Sequence, residues 1–242
     1  MATITDDAIV LRQLEYSETS QIAVLLTAGH GKVRAIAKGV RRTTKTRFSP
    51  GLDLLDVGKA SFSTRSERQE GLSRLFEFKQ TVPLIGIRDR LTSVYGALYM
   101  VDMVAVLTED WDPHRRTFAQ LLRSLHALAS GHDVLPAIVD VQVTFLEEIG
   151  SLPRFGACVS CGDHTSLGHF SSLAGGVLCD SCHARQRECR PLSEKTLQAL
   201  QDRRWAEASL GCFRLFDYHL SHLMGRASRL SSTLLRFMES SV

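Results

Sequence analysis

The hydrophobic period of this chain changes once, at Pro83, and that change limits the possible folds more than any other feature. Before it, Ala8-Ile9-Val10-Leu11-Arg12-Gln13-Leu14 and Gln21-Ile22-Ala23-Val24-Leu25-Leu26 read as short strands around a polar turn at 15–20. Gly29-His30-Gly31 supplies a second tight turn, because glycine tolerates positive φ. Lys32-Val33-Arg34-Ala35-Ile36-Ala37-Lys38 then alternates, with Val33, Ala35 and Ala37 on one face and Lys32, Arg34, Ile36 and Lys38 on the other. Segments 52–63 and 73–80 complete a set of five strands, joined by a charged tip at 64–71. Five short strands in about eighty residues suit an OB-type β-barrel, since a sandwich needs about seven.

After Pro83 the spacing is helical. Leu91, Val94, Tyr95, Leu98, Val101, Val104 and Ala105 predict a long helix that is apolar almost all round. Asp112-Pro113 reads as an N-cap with proline at the first helical position, ahead of a stripe of Phe118, Leu121, Leu122, Leu125 and Leu128. Residues 137–149 give a third helix stopped at Gly150, and 193–201, 210–224 and 230–238 give three more, the first capped by Ser193. These stripes are core-forming, and Trp111 and Trp205 add no further signal. The expected fold class is α+β and multidomain. A five-stranded OB-type barrel over 1–80 precedes a helical domain over 81–157 and 183–242, which carries a four-cysteine zinc ribbon at 158–182.

Charge is distributed unevenly. The formal net charge is only +3, yet from Thr19 to Leu52 there is no acidic residue, while Lys32, Arg34, Lys38, Arg41, Arg42, Lys45 and Arg47 fall within sixteen positions. Cations this close repel one another unless an anion lies among them, and a polyphosphate backbone is the commonest such anion. A solvated basic loop is the plainer reading, but three of these cations lie on a strand. These seven residues are the candidate DNA-binding set. OB-type barrels bind single strands in basic grooves with aromatic stacking platforms. Phe48 is the aromatic nearest the run, as a stacking residue or, more simply, a core or hinge aromatic.

Cys158-Val159-Ser160-Cys161, seventeen intervening residues, and Cys179-Asp180-Ser181-Cys182 match the spacing of a four-thiolate metal site. Two residues between cysteines let both thiolates of a tight knuckle reach one ion, and two knuckles close a tetrahedral shell. Structural zinc on Cys158, Cys161, Cys179 and Cys182 is the leading expectation; iron, a redox pair or two disulfides are the alternatives. A closed shell leaves no position for water, so the metal is not expected to be catalytic. His164, His169 and His183 are spare ligands, and Cys189 and Cys212 read as buried thiols. Between Cys158 and Cys182 there is no Lys or Arg, so any DNA contact here rests on Arg185, Arg187 and Arg190.

No nucleotide-binding, zinc-hydrolase, deaminase or nucleophile-elbow motif is present, and a binding protein rather than an enzyme is expected. The longest apolar stretch, Leu91 to Leu107, is broken by Asp102, and the N-terminus shows no secretory pattern, so a soluble cytoplasmic protein is expected.

Four segments, Ala8-Ile9-Val10-Leu11-Arg12, Tyr16-Ser17-Glu18-Thr19-Ser20, Thr27-Ala28-Gly29-His30-Gly31-Lys32 and Ala37-Lys38-Gly39-Val40-Arg41-Arg42, resemble the RecO family of bacterial DNA repair and recombination proteins. The order of barrel, helices, four-cysteine ribbon and further helices matches it as well. The resemblance implies a recombination mediator that binds single- and double-stranded DNA and anneals complementary strands, including strands coated by single-strand-binding protein. It also implies action with RecR to load RecA, with nucleoid association, no membrane partner and structural zinc. A general single-strand DNA- or RNA-binding module is the alternative that the barrel alone equally supports.

Overall fold

The computed structural model describes residues 2–40, 48–49, 52–64 and 72–239. Five strands close a barrel: β1 (Thr3–Ser17), β2 (Ser20–Thr27), β3 (Gly31–Lys38), β5 (Val57–Ser63) and β6 (Ser73–Val82). Their order is β3-β2-β1-β5-β6, and parallel pairing of β3 with β6 through Ala35–Ser73 and Ala37–Leu75 shuts the cylinder. A two-residue strand β4 (Phe48–Ser49) runs parallel beside β6. The OB-type architecture expected from the sequence is therefore present. The strand expected over 52–63 begins only at Val57; before it the chain turns, with Leu55 at φ 70° and the Asp56 carboxylate accepting from the Asp53 amide.

β1 is long because it serves two partners. Thr3 to Ile9 pair with β5, and Ala8 to Ser17 pair with β2. Leu11 shares the outer face with Ile9 by alternation, and an irregularity between Val10 and Arg12 then brings Arg12 onto that face as well, opposite Val24. Ala8, Val10, Ala23, Leu25, Val33, Ala35 and Ala37 thus fill the barrel with Phe48, Phe62, Leu75 and Phe78. Ile9, Leu11, Val24 and Leu26 face outward and are buried in a different core, that of the helices. Full burial of four such side chains contributes roughly 6–12 kcal/mol to holding barrel and helices together.

The helices are α1 (Leu91–Leu107), α2 (Arg115–Ala129), α3 (Val134–Glu148), α4 (Glu194–Gln201), α5 (Ser209–Met224) and α6 (Arg229–Glu239). None is long and apolar enough to cross a membrane. α1 is the hub, buried through Ala97, Tyr99, Met100, Val101, Met103 and Val104 among β1, α3, α5 and α6. The proposed Asp112-Pro113 cap does not start α2. The helix begins at Arg115, and its first amides are satisfied from α3: Glu148 accepts from the Arg116 amide at 3.0 Å and the Thr117 amide at 2.9 Å. Ser193 does cap α4, accepting from the Thr196 amide.

The α1–α2 connection is laid along the barrel. The Trp111 amide donates to the Lys32 carbonyl at 2.8 Å, forming a bridge between Asp110 and β3. Trp111, at φ 66°, then turns its ring onto the barrel core, 6.0 Å from Phe62. This approach requires a glycine at position 31, where φ is 72° and a Cβ would fall 2.0 Å from the Asp112 carbonyl oxygen. Beyond α3, β7 (Leu167–Ser171), β8 (Gly176–Cys179) and β9 (Arg190–Pro191) form a small three-stranded sheet, with order β8-β7-β9.

Gly31→Ala is expected to cost about 2–5 kcal/mol, combining left-handed strain with the clash against the connection. Gly131→Ala, at φ 84° with nothing within 4 Å of a new Cβ, should cost only about 1–2 kcal/mol. Denaturant midpoints of the two variants check the difference. For Glu148, burial pushes the carboxyl up, but the Thr117 hydroxyl and the Thr117 and Arg116 amides outweigh it and hold the group below the ordinary carboxylate range. A depressed folded value means stability that is present above the unfolded value and lost as pH falls through the folded one. Glu148→Gln should therefore cost about 1 kcal/mol at neutral pH, and thermal melts against the parent should converge as the pH is lowered.

Candidate nucleic-acid interface and metal centre

The outer face of β1, β2 and β3 has two ends. At the end nearer the helices, Arg12, Val24 and Arg34 form one cross-strand row, and Leu26 pairs with Lys32 in the next. At the far end, Leu14, Ile22, Ile36 and Arg74 form a row across four strands, with Ser20 and Lys38 beyond it. α1 covers the near end and stops short of the far one.

Of the seven candidate cations, three lie within the described residues; Arg41, Arg42, Lys45 and Arg47 lie outside them. Lys32 does not stand free on the outer face as its alternation suggests. Its side chain is 13% exposed, and Nζ donates to the Ala105 carbonyl at 2.9 Å and the Thr108 carbonyl at 2.5 Å, with Asp110 Oδ1 3.6 Å away. The lysine thus meets the negative end of the α1 dipole. Arg34 is exposed, with Nε donating to Asp110 Oδ2 at 2.6 Å. Lys38 is exposed, and no carboxylate among the described residues pairs with it.

Phe48 is buried in the barrel core, which is the plainer of its two readings. The exposed aromatic and apolar groups are elsewhere. Tyr16 is 62% and Leu14 56% exposed at the end of β1, and the Arg74 guanidinium lies 5.5 Å from the centre of the Phe76 ring. Sequence reasoning missed Tyr16, Arg74 and Phe76. The available signal was Tyr16 two positions after Leu14, in step with an apolar alternation that has no core left to enter. Tyr16 is the exposed ring of this face and Phe76 a partly buried one beside a cation; aromatic rings and cations on one face are the composition on which unpaired bases stack.

The four cysteines Cys158, Cys161, Cys179 and Cys182 come together, their sulfurs all within 4.8 Å of one another. Gly162, at φ 79°, turns the first knuckle and donates its amide to the Cys158 carbonyl, while the Cys182 amide donates to the Cys179 carbonyl in the second. The Sγ atoms of Cys161 and Cys179 are 3.8 Å apart. A tetrahedral ion with metal–sulfur bonds of about 2.3 Å sets its sulfurs about 3.8 Å apart, so this spacing fits. Burial pushes the Cys158 thiol up, but backbone hydrogen bonds at Cys179, Cys161 and Ser160 bring it down to about 6. At Cys161 a backbone hydrogen bond at Asp163 favours the thiolate, yet the neighbouring thiols of Cys158 and Cys182 push it up to about 12. Four cysteine sulfurs at this spacing could hold one metal ion, which would favour the thiolate form of each.

The spare ligands lie outside this shell. His164 donates to the Gly156 carbonyl. His169 and His183 stack at 3.8 Å with ring planes 2° apart. Imidazole lone pairs lie in the ring plane, so parallel stacked rings do not converge on one ion. Cys212 is buried, which pushes its thiol up to about 12, and Cys189 is partly buried against the cysteine cluster. Of the flanking arginines, Arg190 stacks on Tyr218 at 3.8 Å, whereas Arg185 and Arg187 are exposed with no carboxylate partner among the described residues. The buried Ser172–His219 pair joins at 2.8 Å, and His219 Nε2 donates to the Ser151 carbonyl, so both ring nitrogens are engaged.

Residues 1–81 match the family model described as Recombination protein O N terminal, and residues 88–209 match Recombination protein O C terminal. The chain belongs to the RecO family. Relatives named DNA repair protein RecO include that of Rhodopirellula baltica, 31% identical over 199 residues that make up 81% of this chain and 73% of the relative. That of Bacillus pumilus is 30% identical over 198 residues, 82% of this chain and 75% of the relative. That of Alkaliphilus metalliredigens is 32% identical over 186 residues, 74% and 72%. The two RecO models meet near Pro83, where the period of the sequence changes, and the second spans all four clustered cysteines.

Cys161→Ser is expected to abolish stoichiometric metal binding and to lower the melting temperature, because binding energy in such closed sites is largely folding energy. Elemental analysis of the purified protein and a thermal scan check the two halves separately.

Proposed function

We propose that this RecO-family protein works in DNA repair as a recombination mediator that binds single- and double-stranded DNA and anneals complementary strands. The carrying observation is the far end of the barrel face, where the exposed Leu14, Tyr16, Lys38 and Arg74 share one face with the partly buried Ile22 and Phe76 and the buried Ile36. The basic run ending in Arg41, Arg42, Lys45 and Arg47 continues from Lys38, the last residue of β3 at this end.

Annealing needs a surface that neutralises two phosphate backbones without reading bases. A shared cationic face lowers strand–strand repulsion and raises the local concentration of both strands, while base pairing supplies the specificity. Stacking platforms hold unpaired bases apart from their own neighbours, and a backbone-led mode admits duplex as well as single strands. In keeping with the family, RecR and single-strand-binding protein are the partners, with RecA loading as the outcome. The protein acts by binding rather than by turnover.

The metal is proposed to be zinc, held by Cys158, Cys161, Cys179 and Cys182. Bound there, it supplies no open coordination position and hence no chemistry on DNA. The four residues hold β7 and β8 against the knuckle at 158–162, and the ribbon in turn sits on α5. Glu188 accepts from the Tyr218 hydroxyl and from Ser171, and the Arg190 guanidinium lies over the Tyr218 ring.

The test is annealing of complementary oligonucleotides, naked and coated with single-strand-binding protein. The wild-type chain should accelerate both. Tyr16→Ala with Arg74→Ala and Lys38→Ala should slow both and flatten the slope of log affinity against log salt by about 0.7 for each phosphate no longer neutralised. Equal affinity for RNA and single-stranded DNA without annealing would instead assign a general single-strand-binding module.

A further inference from the structure

On the barrel face the helical domain contributes acids as well as cover. Asp102 of α1 accepts from Arg12 Nη2 at 2.5 Å, with Arg226 3.7 Å from its other oxygen. Asp110, in the connection after α1, accepts from Arg34 Nε and stands 3.6 Å from Lys32 Nζ. Lys32 also meets two carbonyls at the C-terminal end of α1, which carries roughly half a negative charge. Among the described residues, the near-part cations Arg12, Lys32 and Arg34 therefore each have an acidic or carbonyl partner on the helical side. In the far part, Lys38 and Arg74 have no carboxylate partner among the described residues. The apolar pattern divides in the same place: Ile9, Leu11, Val24 and Leu26 are buried under the helices, whereas Leu14 and Tyr16 stay exposed.

We propose that Asp102 and Asp110 form an electrostatic fence that ends the single-strand track partway across the barrel. A polyanion approaching Arg34 meets the Asp110 carboxylate on the same guanidinium, so a phosphate there gains little and must displace an ion pair already formed. At Lys38 and Arg74 a phosphate displaces only counterions, which is the source of salt-dependent affinity. The strand is thereby confined to the far rows, and the helical surface stays free of DNA. This inference rests on the DNA-binding reading above. Asp110 acts through Arg34, as a positioning residue that keeps a cation from phosphate.

The experiment measures binding of a fluorescent oligo-dT against salt concentration. For Asp110→Asn the slope of log affinity against log salt should steepen by about 0.7, the value for one more neutralised phosphate. Affinity at low salt should rise about two- to fivefold, the range of an exposed ion pair. Adding Arg34→Ala to Asp110→Asn should remove the gain. In the wild-type background Arg34→Ala should move the slope far less than Lys38→Ala does, and this comparison stands even if Asp110→Asn folds poorly. An unchanged or flatter slope for a folded Asp110→Asn, or equal effects of Arg34→Ala and Lys38→Ala, overturns the fence. Absence of any salt-dependent binding by the wild-type chain would overturn the DNA-binding reading itself.

Discussion

Lys32 places its ammonium between the last carbonyls of α1 and the Asp110 carboxylate, and the arrangement of barrel against helices follows from that seam. A partly buried ammonium needs partners on every side, because losing water without replacing its hydrogen bonds is costly. α1 supplies two of them only when its C-terminus abuts β3. The same position lets the Trp111 amide reach the Lys32 carbonyl and the indole reach Phe62. One charged group, one backbone bridge and one aromatic ring thus fix the register between two domains whose larger attraction is the burial of Ile9, Leu11, Val24 and Leu26. Hydrophobic burial is non-directional, so it can hold the domains together without choosing their angle; the polar seam chooses it.

That seam also explains which parts of the molecule could be read from residues alone. Alternation is a local property, so the five long strands and the barrel-filling set Val33, Ala35 and Ala37 were legible, as was the helical period after Pro83. The four cysteines were legible because their spacing encodes the knuckle geometry directly. Lys32 lies on the face that parity gives it, but parity does not tell whether another domain lies over that face, and there its ammonium is taken up by α1 and Asp110. Trp111 gave no signal because its approach to the barrel depends on a residue at positive φ far along the chain. The start of α2 moved for a related reason. Asp112-Pro113 is a sound local cap, but Glu148, thirty-two residues from Arg116, reaches the first amides, and a carboxylate at a helix N-terminus also meets the favourable end of the dipole. At Lys32 and at the start of α2 alike, tertiary packing adds what a local rule does not contain.

The candidate site was legible as a charge pattern and less so as a surface. Counting cations finds the basic run, yet the value of each cation depends on its neighbours. Arg34 and Lys38 sit four residues apart on one strand and are equivalent in sequence, but one carries a carboxylate at 2.6 Å and the other has none among the described residues. Exposed ion pairs contribute little to stability, roughly 0.2–1 kcal/mol. A surface pair such as Arg34–Asp110 therefore has little to do with folding, and its larger consequence is to alter the potential that an incoming polyanion meets.

The metal centre and the barrel face then divide two tasks by chemistry. A four-thiolate shell closed on an ion would be saturated, and the segment between Cys158 and Cys182 holds no Lys or Arg to attract phosphate; the binding energy would go into ordering a ribbon whose own buried cluster is little more than Leu178 and the cysteines. The far barrel face differs: Leu14, Tyr16, Lys38 and Arg74 are exposed on it, and neither cation has a carboxylate partner among the described residues. The proposed annealing would need that separation, because a surface that folds by neutralising its own charges has none left to neutralise phosphates. Along β3 the change from one state to the other takes place between Arg34 and Lys38.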